Sequence, residues 1–279
     1  MPLPDSEEIE INHATELILL ILMLAFFAAH LGIHVYHVAN NVPPAERIPW
    51  KTLVPIFFAF AFTHALFMLG WRRALAFFGL TAVISFGFEY VGQATGLIFG
   101  PYYYTDVLGY KLLGAIPLVI PLSYFMVMYP CYIIANLLIG GGPRSRLSGW
   151  GGALWAAFLT AIVMTAWDLT LDPLMSGEVA AWKWGVDGPY FGVPFQNFTG
   201  WVLTTFTIAA AYRLVEPRLP LRPLGRLKNW LIALPLMGYL ALSIGDIFIG
   251  APEATRLISP FVMGVPVLAA LLRLYEPRQ

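Results

Sequence analysis

Along this chain apolar residues come in long blocks, separated by short polar breaks. A hydrocarbon core of about 30 Å is crossed by a helix of about 20 residues. Eight blocks reach or approach that length. They predict helices over 16–37, 53–69, 74–96, 112–139, 150–171, 197–214, 231–248 and 258–274. The fourth block contains Pro117, Pro121 and Pro130. Proline is tolerated in a membrane helix but is expected to kink it. The expected fold class is all-α, a polytopic transmembrane helix bundle of about eight helices. The connecting segments are short, so residues 1–279 read as a single integral membrane domain with no internal repeat.

Composition supports this reading. Charged residues make up only 11% of the chain and hydrophobic types 59%, where a soluble domain carries about a quarter charged residues. The formal net charge is zero, and nothing points to a nucleic-acid partner. The one cysteine, Cys131, excludes an intramolecular disulfide and a cysteine-built metal cage. Residues 1–10 are acidic and lack the basic start and small-residue cleavage site of a secretory signal, so the first block is expected to stay as a helix. Eight helices put both termini on one side. That side holds 11 basic residues, Arg72, Arg73, Arg144, Arg146, Arg213, Arg218, Arg222, Arg226, Lys228, Arg273 and Arg278, against 5 on the other, Arg47, Lys51, Lys111, Lys183 and Arg256. The positive-inside rule then places the termini in the cytoplasm, and the expected location is the cell's plasma membrane, crossed several times. The first helix alone reads the other way, with acids before it and Arg47 and Lys51 after it.

Candidate chemistry lies where polarity is costly. A charged group at the centre of a membrane helix costs about 2.5–3.5 kcal/mol on insertion scales. The ionisable residues inside the expected helices are Glu89, Asp168, Asp172, Asp246, His30, His34, His37 and His64. All but His64 fall in one half of the membrane, beside two aromatic loops, 100–111 and 176–194. The loops carry Tyr102, Tyr103, Tyr104 and Tyr110, and Trp182, Trp184, Tyr190 and Phe191. These rings read either as an interfacial belt or as the wall of a site. Asp168 and Asp172 are four apart and share a helix face. Two such carboxylates in a dry setting do not both ionise easily, which yields a proton donor beside an acceptor. The plainer alternative for either is a helix cap or an arginine partner. Glu89 lies in a polar stripe with Ser85 and Gln93, and its plainer alternative is an interhelical hydrogen bond. His30, His34 and His37 share a face, as interhelical hydrogen-bonding groups or ligands of one metal. Five histidines are too few for a di-iron histidine box, and no lysine lies in mid-helix for a retinal Schiff base.

Three motifs occur together and in order. The first is Glu89-Tyr-Val-Gly-Gln-Ala-Thr95-Gly96, continuing to Phe99-Gly100-Pro101-Tyr102-Tyr103-Tyr104. The second is Trp167-Asp168-Leu169-Thr170-Leu171-Asp172-Pro173. The third is Tyr190-Phe191-Gly192-Val193-Pro194, followed by Asn197-Phe198 and Gly200-Trp201. Together they resemble the membrane carotenoid-biosynthesis family, often called CruF-type, that contains the carotenoid 1′,2′-hydratases and bisanhydrobacterioruberin hydratase. The resemblance is strongest over 87–201. It implies addition of water to the terminal double bond of an acyclic carotenoid, a lycopene-like or C50 polyene, drawn from the lipid bilayer. Other enzymes of the carotenoid pathway are candidate partners. No cofactor and no metal are expected for such a reaction.

For that chemistry, Asp168 or Asp172 is expected to supply the proton and Glu89 to orient or deprotonate the water. Tyr102, Tyr104 and Trp167 are expected to line the pocket of the cation, with Asn197, Tyr190 and His34 completing the substrate-binding set. A lycopene-cyclase-like enzyme would share the protonation but let an internal double bond capture the cation. A membrane prenyltransferase would use Asp168 and Asp172 to hold Mg²⁺, yet lacks a second acidic cluster. A non-enzymatic carotenoid carrier or transporter is the remaining class, and the missing inverted repeat counts against transport.

Overall fold

The computed structural model describes residues 13–43, 46–47, 50–140, 142–144, 149–223 and 228–276. Within them are eight helices long and apolar enough to cross a membrane: α1 (His13–Ala39), α2 (Trp50–Leu69), α3 (Trp71–Thr95), α4 (Val119–Gly140), α5 (Gly149–Ser176), α6 (Phe195–Val215), α7 (Asn229–Ile249) and α8 (Thr255–Tyr275). The acidic stretch before α1, and Arg146, Arg226 and Arg278, which enter the charge argument, lie outside the described residues.

The helices are apolar all round, as membrane spans are. What distinguishes them is depth. α4 is the hub, packed against α2, α3, α5, α7 and α8, with an unbroken buried run from Tyr124 to Leu137. α1 is peripheral and leaves Leu17, Ile18, Ile21 and Val35 exposed, apolar surface that a bilayer would cover.

One expected element is corrected. The fourth apolar block does not begin its helix at Leu112. Residues 111–117 form a short hairpin, with β2 (Lys111–Leu112) antiparallel to β3 (Ile116–Pro117). Its turn uses Leu113 and Gly114 at φ of 50° and 70°. Pro117 has no amide to donate and pushes Ile116 into extended backbone, so a helix cannot run through this pair. α4 therefore starts two residues after Pro117, at Val119, and only Pro130 lies in its interior.

The two ends of the bundle differ. One, the basic end, is tied by buried arginines. Arg73 Nε and Nη2 donate to the Leu219 carbonyl at 3.1 and 2.8 Å. Arg213 pairs with Glu216 at 2.9 Å and donates to Asn136 Oδ1 at 2.6 Å, while the Tyr132 hydroxyl donates to the second Glu216 oxygen at 2.7 Å. Arg222 donates to the Phe67 carbonyl at 2.7 Å and pairs with Glu16. Burial, then the nearby Arg73 and Arg222, draws the Arg144 guanidinium below its ordinary pKa. The opposite, capped end carries the aromatic loops. α3 stops there at Gly96, whose φ of 68° and N–H bond to the Gly92 carbonyl make a left-handed helix cap.

Candidate active site

At the capped end the two aromatic loops pair with each other. β1 (Tyr102–Tyr104) runs antiparallel to β4 (Trp182–Trp184), with Tyr102 opposite Trp184 and Tyr104 opposite Trp182. Successive strand residues point to opposite faces. Tyr103 and Lys183 therefore face outward, while Tyr102, Tyr104, Trp182 and Trp184 turn into the bundle. Phe99 anchors the panel by entering the gap between α3 and α6. It needs glycine on both sides: a Cβ on Gly92 would lie 2.7 Å from its ring, and one on Gly200 2.6 Å from it.

The four rings carry polar tips, and each tip reaches a carboxylate. Glu89 of α3 receives three phenols. Tyr102 and Tyr104 donate to Oε2 at 2.5 and 2.8 Å, and Tyr124 of α4 donates to Oε1 at 2.8 Å. Asp172 of α5 receives both indoles on Oδ1, Trp182 at 3.0 Å and Trp184 at 3.2 Å. Asn197, in the first turn of α6, bridges the two aspartates: its Nδ2 donates to Asp172 Oδ2 and to Asp168 Oδ2, each at 2.8 Å. Burial first, and then the Glu89 carboxylate, pushes the Tyr102 and Tyr104 phenols well above their ordinary pKa, so both remain donors.

These groups border a shared cavity. Glu89, Asp172 and Asn197 supply its buried polar wall. Tyr102, Tyr104, Tyr124, Trp167, Trp182, Trp184 and Trp201 supply its aromatic wall. Tyr124 and Trp201 stack flat, with centroids 4.7 Å apart at 3°, and Trp167 meets Trp201 edge-on at 6.1 Å. Aliphatic residues, among them Val54, Leu108, Val119, Ile120 and Leu171, add to the lining.

Of the residues singled out from sequence, Glu89, Asp172, Tyr102, Tyr104, Trp167 and Asn197 meet at this cavity. Asp168 lies behind Asn197 and does not border it. Tyr190 does not border it either. Its hydroxyl donates to the Leu169 carbonyl at 2.9 Å and ties the second loop to α5. Burial holds its phenol at a pKa of about 12. His34 belongs to another part of the bundle, where α1 meets Gly245 of α7, and does not border the cavity. Its neighbour His30 lies within 3.2 Å of the Gly238 carbonyl and stacks on Phe57 at 4.0 Å, an interhelical role. Asp246 accepts from Thr170 at 2.7 Å, on the far face of α5. Among the described residues no three His, Cys, Asp or Glu side chains come together in a way that could hold a metal ion. Sequence reasoning missed Tyr124 and Trp201 as wall residues. The available signal was a tyrosine hydroxyl inside the apolar block 119–140, since a buried phenol normally has a partner.

Fold and site define a multi-pass membrane protein with an acidic, aromatic cavity inside its helix bundle. The chain belongs to the carotenoid biosynthesis protein family, whose model matches residues 50–271. Over 134 residues it is 36% identical to the bisanhydrobacterioruberin hydratase of Haloarcula japonica, a stretch covering 48% of this chain and 42% of that protein. The chain thus spans less than half the length of the curated relative it matches. No solved structure matches it.

Proposed function

We propose that this protein is a carotenoid hydratase, adding water to the terminal C=C of an acyclic carotenoid end group. The observation that carries the reading is the pairing of carboxyl groups on one apolar, aromatic cavity: Asp172, backed by Asp168 through Asn197, and Glu89, held by three phenols. Such a cavity accepts a hydrocarbon end group and offers it an acid and a base.

The Asp168–Asp172 pair, bridged by one amide, carries one proton, because two carboxylates buried side by side repel each other. Asp172 faces the cavity and delivers that proton. An O–H bond breaks, the alkene π pair forms a C–H bond at the less substituted carbon, and the charge falls on the tertiary carbon. The faces of Trp167, Trp201, Trp184 and Tyr124 attract that cation by about 0.5–2 kcal/mol each. A water oxygen forms the C–O bond, and its surplus proton passes to Glu89. Return of that proton to the aspartate pair closes the cycle with one water consumed. Glu89, held in place by three phenol hydrogen bonds, serves as the base in this reading. Asp168 is a positioning residue that acts through Asn197.

The test is expression in cells that make lycopene, followed by mass analysis of the pigments. A product heavier by one water per end supports the reading. A product of unchanged mass with cyclic ends points to cyclisation, and unaltered lycopene overturns enzymatic action on that end group.

A further inference from the structure

Among the described residues four buried side-chain atoms have no protein hydrogen-bond partner: Asp168 Oδ1, Thr204 Oγ1, the Tyr212 hydroxyl and Arg213 Nε. They are not scattered. One lies beside the candidate site, and the other three follow α6 from there to the basic end. Phe77 of α3 stacks flat on Tyr212, with centroids 4.1 Å apart at 8°, which fixes the register of two antiparallel helices. Two turns toward the capped end from that stack, about 12 Å, come Ser85 on α3 and Thr204 on α6. One turn beyond Ser85 is Glu89. Thr81 and Ser85, both fully buried, continue the polar face of α3 between the stack and the site. At its other end the line meets the Arg213–Glu216–Tyr132 network.

Buried polar atoms without protein partners are normally satisfied by bound water. We propose that the α3–α6 seam is a water-bearing path. Waters held at Asp168 Oδ1, Thr204 Oγ1 and the Tyr212 hydroxyl link the carboxyl site to the basic end of the bundle. Geometry gives it a use. The capped end is closed over the cavity by the β1–β4 panel, and an end group in the cavity would fill the apolar side. The seam reaches the site from behind, between Glu89 and Asp168, where water is consumed and a proton is returned. This use rests on the hydration reading above; the presence of the water does not.

Two measurements separate the claims. Radiolytic hydroxyl-radical labelling of the purified protein marks side chains beside bound water, even buried ones. Tyr212 should be oxidised, whereas Tyr239, equally buried but bonded to the Val163 carbonyl at 2.6 Å, should not. Equal absence of label on both overturns the path. In lycopene-making cells, Thr204→Val should shift product several-fold from hydrated toward isomerised pigment, and Thr204→Ser should restore it. An unchanged product split in Thr204→Val overturns the supply role. If the wild-type chain hydrates nothing, the hydration reading fails, and the labelling still decides the seam.

Discussion

Tyr102 and Trp184 face each other across the β1–β4 pair, with ring centroids 5.4 Å apart, yet their polar tips go to different carboxylates. The phenol binds Glu89 and the indole binds Asp172. One strand register therefore positions both halves of the candidate acid–base set. Tyr102→Phe keeps the ring but removes one donor from Glu89, a loss of about 1.5–3 kcal/mol for a hydrogen bond to a charged group. Hydration should fall by roughly ten- to a hundredfold, with the protein still folded. Trp184→Phe should cost less, because Trp182 still donates to Asp172. Pigment yield at matched expression checks both.

The carboxyl groups should differ in how they fail. Asp172→Asn removes the acid that faces the cavity and should lower turnover by about 10²–10⁴. Asp168→Asn retains an acceptor for Asn197 but removes the neighbour that keeps a proton on the pair, so it too should be severely impaired. Glu89→Gln leaves protonation intact and impairs water capture, so isomerised or cyclised pigment should appear. Chromatography with mass detection distinguishes these outcomes. Near-wild-type hydration by both aspartate variants would overturn the carboxyl-pair mechanism.

Asn197 supports the pair through one nitrogen bonded to two carboxyl oxygens. Asn197→Ala leaves two buried carboxyls short of a donor, a penalty of about 1–3 kcal/mol for each group left unsatisfied. Activity should be lost and the melting temperature in detergent should drop. Asn197→Leu, which fills the space without the amide, should recover part of the stability and none of the activity.

Several of these relationships were legible in the sequence, and the reasons differ by residue. Eight apolar blocks of spanning length predict eight helices, because in lipid the backbone must satisfy itself. Glu89, Asp168 and Asp172 stand out because charge is costly in that setting. What the sequence could not reveal was partnership. The pairing of Tyr102–Tyr104 with Trp182–Trp184 joins segments about eighty residues apart, and only that register shows which rings turn inward. His30, His34 and His37 share a helix face, which reads from sequence as interhelical hydrogen-bonding groups or ligands of one metal, and only the structure shows that His30 and His34 pack on α7. The hairpin at 111–117 was hidden because its leucines and isoleucine extend the apolar block that Pro117 and Gly114 interrupt.

At the basic end, Arg213 and Glu216 form a buried pair at 2.9 Å, braced by Asn136 and Tyr132. Removing one member of such a pair leaves an uncompensated buried charge and costs about 3–5 kcal/mol. Arg213→Met and Glu216→Gln should each lower the melting temperature markedly, while the double variant should recover much of that loss. A double-mutant cycle by thermal denaturation in detergent checks this, and simple additivity of the two losses would show that the pair does not act as a unit.

Orientation follows from the same buried charge. The arginines that tie α3, α4 and α6 lie at the end of the bundle that carries the 140–149 connection, and the aromatic cap lies at the other. Lys and Arg accumulate on cytoplasmic loops, so we predict that the basic end faces the cytoplasm and the carboxyl cavity opens in the opposite half of the bilayer. Reporter fusions at Gly142 and at Gly188 test it directly. Gly142 adjoins α4 at the basic end, and Gly188 lies in the loop between β4 and α6 at the capped end. A reporter active only in the cytoplasm should respond at Gly142, and one active only outside should respond at Gly188. The reverse pattern would invert the bundle, and the α3–α6 seam would then meet the outer solution. Equal signals at both sites would mean that an even number of spans separates Gly142 from Gly188, and the eight-helix topology itself would have to be redrawn.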